Sequence, residues 1–445
     1  MERTFKLAAA ELRRACDPAS LGFETTAGLP LLSEVLGQPR AVAALEFGAR
    51  IGSPGFNLFA LGQPGSGRTT LIKDYLDQYS GTQPTPPDLC YVFNFADTRR
   101  PLPLSLPPGR AVQFRQDIDA LLEELQTEIP KAFETEEYTR HRDQVLQQLE
   151  EQRREKLTQI DRHATESGFK LLKGPGGLLL APAAGDKLLS DEDLERLTGP
   201  EQEKVACARD RLQHEIEERL RSVRELEKGI RDALRALDTD TAVYSTRHVI
   251  EDLRARYRDL PAVLDYLAAL QADITAHADE FRKGKEQETP PVLAPVMQGT
   301  EKPLVRYQVN VLVNNSGLKG APVVVETNPT YHNLTGRIEH QATWSGVVTD
   351  HTMVKPGALH RANGGYLIIP ARECLINPYA WDGLKRALKD GVLRIEELGT
   401  QLSLVSTVTL DPEPVPLDVK VVLIGSPALY YLLNAWTKIF RSCSK

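Results

Sequence analysis

Residues 57–70 read Asn57-Leu58-Phe59-Ala60-Leu61-Gly62-Gln63-Pro64-Gly65-Ser66-Gly67-Arg68-Thr69-Thr70. An apolar run, Leu58 to Leu61, leads straight into a glycine-rich turn, and Leu71, Ile72, Tyr75 and Leu76 continue at helical spacing. A strand, a turn with Gly62, Gly65 and Gly67, and a helix fit the pattern G-x-x-x-x-G-K-[ST] of a phosphate-binding loop. The glycines let the backbone turn tightly and bring several N–H groups onto one anion. The helix starting near Arg68 adds its positive N-terminal end. Residues Gly62 to Thr70 are therefore the candidate site for ATP or ADP, with the Thr69 hydroxyl placed to meet Mg²⁺. One position departs. Arg68 stands where the pattern has lysine, and a planar guanidinium does not replace a compact ammonium at such a site. A glycine-rich turn with no ligand remains the alternative.

Hydrolysis needs more than the loop. An Asp at the end of a second strand holds the Mg²⁺ shell, and in many families a following Glu polarises water. The best candidate strand is Tyr366–Ile369, and the two positions after it are Pro370 and Ala371. Neither side chain binds a metal or moves a proton, and Glu373 is out of register. A third strand ends Leu423-Ile424-Gly425-Ser426. Ring-forming ATPases often carry Asn there to orient water, and Ser426 is the nearest polar side chain. The expectation is a loop able to cradle phosphate with poor hydrolysis. An active ATPase that recruits another carboxylate is the alternative.

Four textures surround these motifs. Residues 1–115 alternate short apolar runs with Gly/Pro turns and hold the phosphate loop. Residues 116–288 are charge-dense with helical spacing. Residues 289–300 form a Pro-rich joint, and residues 301–445 return to short β-branched runs. In the second region Leu212, Ile216, Leu220, Val223, Ile230, Leu234 and Leu237 make one stripe, predicting a helix over about residues 201–238. A second stripe runs from Leu253 to Phe281, broken near Leu260 by Pro261. An earlier helix is expected over 135–167. Between them, Phe169–Leu189 reads as a small β-hairpin at the tip of a helical, coiled-coil-like arm. In the last region Val305–Val313, Tyr366–Ile369 and Val419–Ile424 read as buried strands of a parallel sheet. Tyr91 to Phe95 alternates as a strand.

The chain has 445 residues, so two or three domains are expected. Five widely spaced cysteines, with no C-x-x-C pair, read as free thiols in a reducing compartment. No apolar run approaches the roughly 18–20 residues of a membrane span, and the N-terminus lacks a signal-peptide pattern. A cytoplasmic protein with no membrane partner is expected. The net charge of −7 disfavours nucleic acid as a partner. His332, His340, His351 and His360 match no metal-finger spacing, so no structural metal is expected.

The longer segments carry a resemblance. CDPASLGFETTAGL (Cys16–Leu29) and LGQPRAVAALEFGARIGSPGFNLFALGQPGSGRT (Leu36–Thr69) resemble the start of the LonB-like, Lon-related proteases. VVVETNPTYHNLTGRIEH (Val323–His340), KPGALHRANGGYLII (Lys355–Ile369) and PLDVKVVLIGSPALYYLL (Pro416–Leu433) resemble the second half of that family's ATPase module. The resemblance covers nearly the whole chain. It implies an α/β fold: an AAA+ three-layer core split by a long helical insertion. It also implies a homo-oligomeric ring, a hexamer in the family, that hands unfolded polypeptide to a protease chamber in protein quality control. Gly37 and Gln38 match the segment near the adenine. The family's Ser–Lys proteolytic dyad follows the ATPase lid, but here the resemblance stops near Ala435, so no catalytic residue is assigned. Pro370 and Ala371 occupy its Walker B positions, and Ser426 its sensor position. Relatives with such substitutions use the module as a scaffold and substrate gate. The alternatives are an ATP-hydrolysing unfoldase and a coiled-coil P-loop ATPase of DNA repair.

Overall fold

A computed structural model of the chain describes residues 8, 12–13, 16–29, 38–53, 55–63, 65–174, 177–184, 187–188, 199–283, 304–343, 346–397 and 409–436. Helix α1 (Pro39–Arg50) leads to strand β1 (Leu58–Leu61) and helix α2 (Arg68–Ser80), then strands β2 (Asp88–Val92) and β3 (Leu102–Leu106). Helices α3 (Arg110–Phe133) and α4 (Glu136–Glu166) follow, then strands β4 (Phe169–Gly174), β5 (Gly177–Ala184) and β6 (Lys187–Leu188). Helices α5 (Gly199–Arg256), α6 (Pro261–Ala276) and α7 (Ala278–Lys283) complete the middle of the chain. The remainder runs β7 (Asn310–Val313), β8 (Val323–Val325), α8 (Tyr331–Thr335), β9 (Arg337–Ile338), β10 (Gln341–Thr343), β11 (Gly346–Val348), β12 (Val354–Lys355) and α9 (Ala358–Arg361). It ends with β13 (Gly365–Pro370), α10 (Ala371–Ile376), α11 (Ala380–Asp390), β14 (Val392–Leu393), β15 (Val415–Pro416), β16 (Val419–Gly425) and α12 (Pro427–Trp436).

The fold is mixed α/β. A parallel sheet in the order β1-β16-β13-β8 joins the two ends of the chain, with Leu58 paired to Val422 and Leu61 to Gly425. Two of the predicted parallel strands are found here as β13 and β16. Apart from Lys420 in β16, both are apolar because both faces are covered. Leu367, Ile369, Val421 and Leu423 pack on one face with Leu334, Leu359, Leu384 and Leu433. Tyr366, Ile368 and Val422 pack on the other with Leu45, Ile72 and Leu76. The period of two within each strand thus sends alternate residues into two separate cores.

The third predicted parallel strand, Val305–Val313, is a correction. Residues 305–307 form a 3₁₀ turn, and β7 pairs antiparallel with β2, in the sheet β3-β2-β7. The reason is positional. The chain returns from the helices onto the edge of β2 that β3 leaves open, and it runs there in the direction opposite to β2. Strand β2 ends at Val92, before the Phe93–Phe95 segment that the alternation had included. Its Cys90 and Val92 share a core with Phe114, Ile118 and Leu125 of α3, Ile250 of α5 and Leu267 of α6.

The helical region starts at Arg110, ahead of residue 116. Helix α4 lies within a residue of its predicted span and is capped by Thr135, whose hydroxyl accepts the Tyr138 N–H. Helix α5 does not stop near Asp238. Thr239, Thr241 and Thr246 each donate a hydroxyl hydrogen bond to the carbonyl four residues back, at 2.8 Å, and Ala242 is buried. These threonines are thus satisfied inside the helix instead of ending it. The break at Pro261 is found, with the proline starting α6, where its missing N–H costs nothing. The predicted hairpin is present: Phe169 pairs with Pro182 and Leu172 with Leu179. It closes a small core of Ile160, Ala164, Phe169, Leu212, Ile216 and Val223.

Candidate functional site

In a parallel sheet the carboxyl ends of the strands are the natural place for a ligand. Four chain segments emerge at that edge: Gly62 after β1, Ser426 after β16, Ala371 after β13 and Glu326 after β8. The phosphate loop and the two substituted hydrolytic positions are therefore brought to one edge, although they are spread over the sequence.

The loop has the backbone that its glycines predict. Gly65 and Gly67 have φ of +78° and +74°, a region that costs other residues energy. Gly67 caps α2 without a side-chain hydrogen bond, so the helix presents its N-terminus with no built-in anion. Gln63, Ser66, Thr69 and Thr70 are exposed. Gln38 precedes α1, where its carbonyl accepts the Ala41 and Val42 N–H groups. Gly37 and Pro64 lie outside the described residues.

Arg68 lies back over the start of its own loop. Its Nη1 donates to the Gly425 carbonyl at 2.5 Å and to the Ala60 carbonyl at 3.4 Å. A Cβ on Gly62 would meet Arg68 Cδ at 2.7 Å. The Gly425 carbonyl also accepts the Gly62 N–H, at 3.3 Å. One strand-end carbonyl thus ties the first glycine of the loop and the arginine at its end to β16.

The substituted positions are committed to secondary structure. Pro370 ends β13, and the fully buried Ala371 starts α10. The Ser426 hydroxyl accepts the Leu429 N–H at 3.3 Å, at the start of α12. Glu326 is the acid directly after a strand of this sheet. Its carboxylate accepts the Asn328 N–H at 3.0 Å and pairs with Arg361 at 3.2 Å. The described loop glycines and the uncapped N-terminus of α2 are the features a phosphate group would use, and among the described residues directly after these strands the acid is Glu326, paired with Arg361.

Three supporting residues carried no signal in the sequence. Asn57 Oδ1 accepts the Val421 N–H at 2.8 Å. Lys420 Nζ donates to the carbonyls of Gly48 at 2.8 Å, Ala49 at 3.3 Å and Ile51, closing the C-terminal end of α1. Partial burial moves the Lys420 pKa below that of a free lysine. The third is Gly425, whose contribution is a carbonyl and not a side chain.

The histidines do not converge. Burial lowers the His351 pKa, and its Nε2 lies 2.7 Å from the Gln308 carbonyl. His360 is buried, with its pKa pushed down to about 3, and its Nδ1 accepts the Gly357 N–H. His340 pairs with Glu397. Among the described residues, no group of three or more His, Cys, Asp or Glu is placed to hold a metal ion, and no helix is long and apolar enough to cross a membrane. Burial pushes the Cys90 and Cys374 thiols up to about 12, which keeps them protonated and inert.

Comparison with known proteins bears on the later part of the chain and on the start of the helices. Residues 319–445 match the family model described as LonB-like, AAA domain, and residues 88–121 match the one described as Lon-like LonC helical domain. No curated protein matches the chain. Among solved structures, the chain is similar to the crystal structure of NtrX from Brucella abortus at 19% identity. That match covers 28% of this chain and 25% of that chain with a TM-score of 0.19, too low to carry an argument. The first match spans β8, β13 and β16 of the parallel sheet and the second spans β2, β3 and the start of α3, and together they support a Lon-related AAA+ module.

Proposed function

We propose that this module is a degenerate one: a polypeptide-handling scaffold of a Lon-related protease that works without efficient ATP hydrolysis. The observation that carries the reading is the commitment of its hydrolytic positions to structural bonds. Arg68 is spent on Gly425, Ser426 caps α12, and Pro370 and Ala371 form a strand–helix junction. Nucleotide, if held, would rest on the backbone of Gly62 to Thr70, which supplies N–H groups and a helix N-terminus to phosphate oxygens. No hydrolytic step is assigned to it.

The packing supports an AAA+ core formed by residues before 88 and after about 318, split by a helical insertion. On this reading the insertion begins with β2 and not at residue 116, because Cys90, Val92, Leu104 and Leu106 share a core with α3, α5 and α6. The long pair α4 and α5 with its hairpin is the arm that meets unfolded polypeptide. The working form is a homo-oligomeric ring in the cytoplasm, without nucleic acid as a partner.

The test is binding of a fluorescently labelled, reduced and carboxymethylated polypeptide to the full chain, with and without Mg-ATP. Affinity that is unchanged by ATP supports the reading. Binding that appears only with ATP, or none in either case, contradicts it.

A further inference from the structure

A nucleotide loop is usually held by its ligand, because the converging N–H groups and the terminal cation need phosphate oxygens to oppose them. Here the cation already has acceptors. The Ala60 and Gly425 carbonyls belong to neighbouring strand ends, where Ala60 pairs with Ile424 and Leu61 with Gly425. Arg68 Nη1 reaches both carbonyls, and the Gly62 N–H shares the second. Arginine never loses its charge at ordinary pH and presents a rigid fork of donors. Both properties suit it to two fixed carbonyls better than a lysine ammonium, which is strongly hydrated and flexible.

We propose that Arg68 is a latch: it closes the loop onto β16 through the Gly425 carbonyl, so the loop is shaped without nucleotide, and a phosphate enters only by displacing it. This deepens the scaffold reading above and rests on the loop being of nucleotide type. It also gives the substitution of lysine by arginine a positive role. The residue that would grip the γ-phosphate now supplies the closure that nucleotide would otherwise bring.

Two readouts on the full chain test it, with ATP as the probe. The first is amide hydrogen exchange without nucleotide. In Arg68→Ala the Gly62 amide should exchange about tenfold faster, because its acceptor is no longer held, while the Val422 amide inside β16 keeps its rate. The second is ATP binding by isothermal titration. Arg68→Lys keeps the charge but loosens the latch, and should bind ATP about tenfold more tightly than the unmodified chain. Unchanged Gly62 exchange in Arg68→Ala overturns the proposal. So does an Arg68→Lys chain that binds ATP no more tightly than the parent. Hydrolysis by the parent chain would defeat the scaffold reading but would leave the exchange result to judge the latch.

Discussion

The buried Asp88 carboxylate accepts the Asn315 backbone N–H at 2.7 Å. Its other oxygen accepts the Ala111 N–H at 3.0 Å, in the first turn of α3. The Asn315 amide in turn donates to the carbonyls of Pro86 and Pro87. One carboxylate thus joins β2, the first turn of α3 and the chain that follows β7.

Removing that carboxylate leaves two buried N–H groups without acceptors. Asp88→Ala should lower the unfolding free energy by roughly 2–6 kcal/mol, at about 1–3 kcal/mol for each stranded group. Asp88→Asn keeps one acceptor and should fall between. Urea unfolding of the three chains measures this, and a loss below about 0.5 kcal/mol in the alanine variant would show that the junction is held by other means.

Lys420 ties the parallel sheet to α1, where its ammonium serves the last carbonyls of that helix. A cation at a helix C-terminus also opposes the helix dipole. Lys420→Met keeps the aliphatic stem and should cost roughly 1–2 kcal/mol. Hydrogen exchange should speed up along α1 more than along α2. Equal changes in both helices would argue against a local cap.

His360 gives the fold a dependence on acid. Its folded pKa, about 3, lies below its ordinary value of 6.5, because burial disfavours the charged ring. In the unfolded chain the ring takes a proton as pH falls below about 6.5, while the folded ring does not until near 3. The unfolded state then binds more protons, so stability is lost as pH falls through that window, by about 1.4 kcal/mol per pH unit at most. His351, lowered for the same reason, adds in the same direction. His360→Gln should flatten the slope of unfolding free energy between pH 6 and pH 5. An unchanged slope would mean that the ring opens to water.

The strand, glycine turn and helix within residues 57–76 were legible because their determinants are local: an apolar run, three spaced glycines and a helical spacing. Helix α4 was legible for the same reason, through Thr135 and one apolar stripe. Pairing was not. Whether β7 lies parallel or antiparallel depends on β2, which stands far back in the sequence. Helix α5 was cut short because its apolar stripe was followed only to Leu237, while beyond it Thr239, Thr241 and Thr246 are kept in the helix by bonds to the preceding turn. The partner of Arg68 was out of reach for a different reason. It is a backbone carbonyl 357 positions away, and a carbonyl leaves no mark on residue identity.

Steady-state phosphate release by the full chain, with saturating Mg-ATP and an unfolded polypeptide present, tests the central claim most directly. With Arg68 latched, Pro370 and Ala371 at the strand–helix junction and Glu326 paired with Arg361, turnover should stay below about 0.1 s⁻¹, under the roughly 1–10³ s⁻¹ of typical enzymes. Turnover above that value, abolished by Gly67→Val in the loop, would show that the site hydrolyses ATP and would contradict the account.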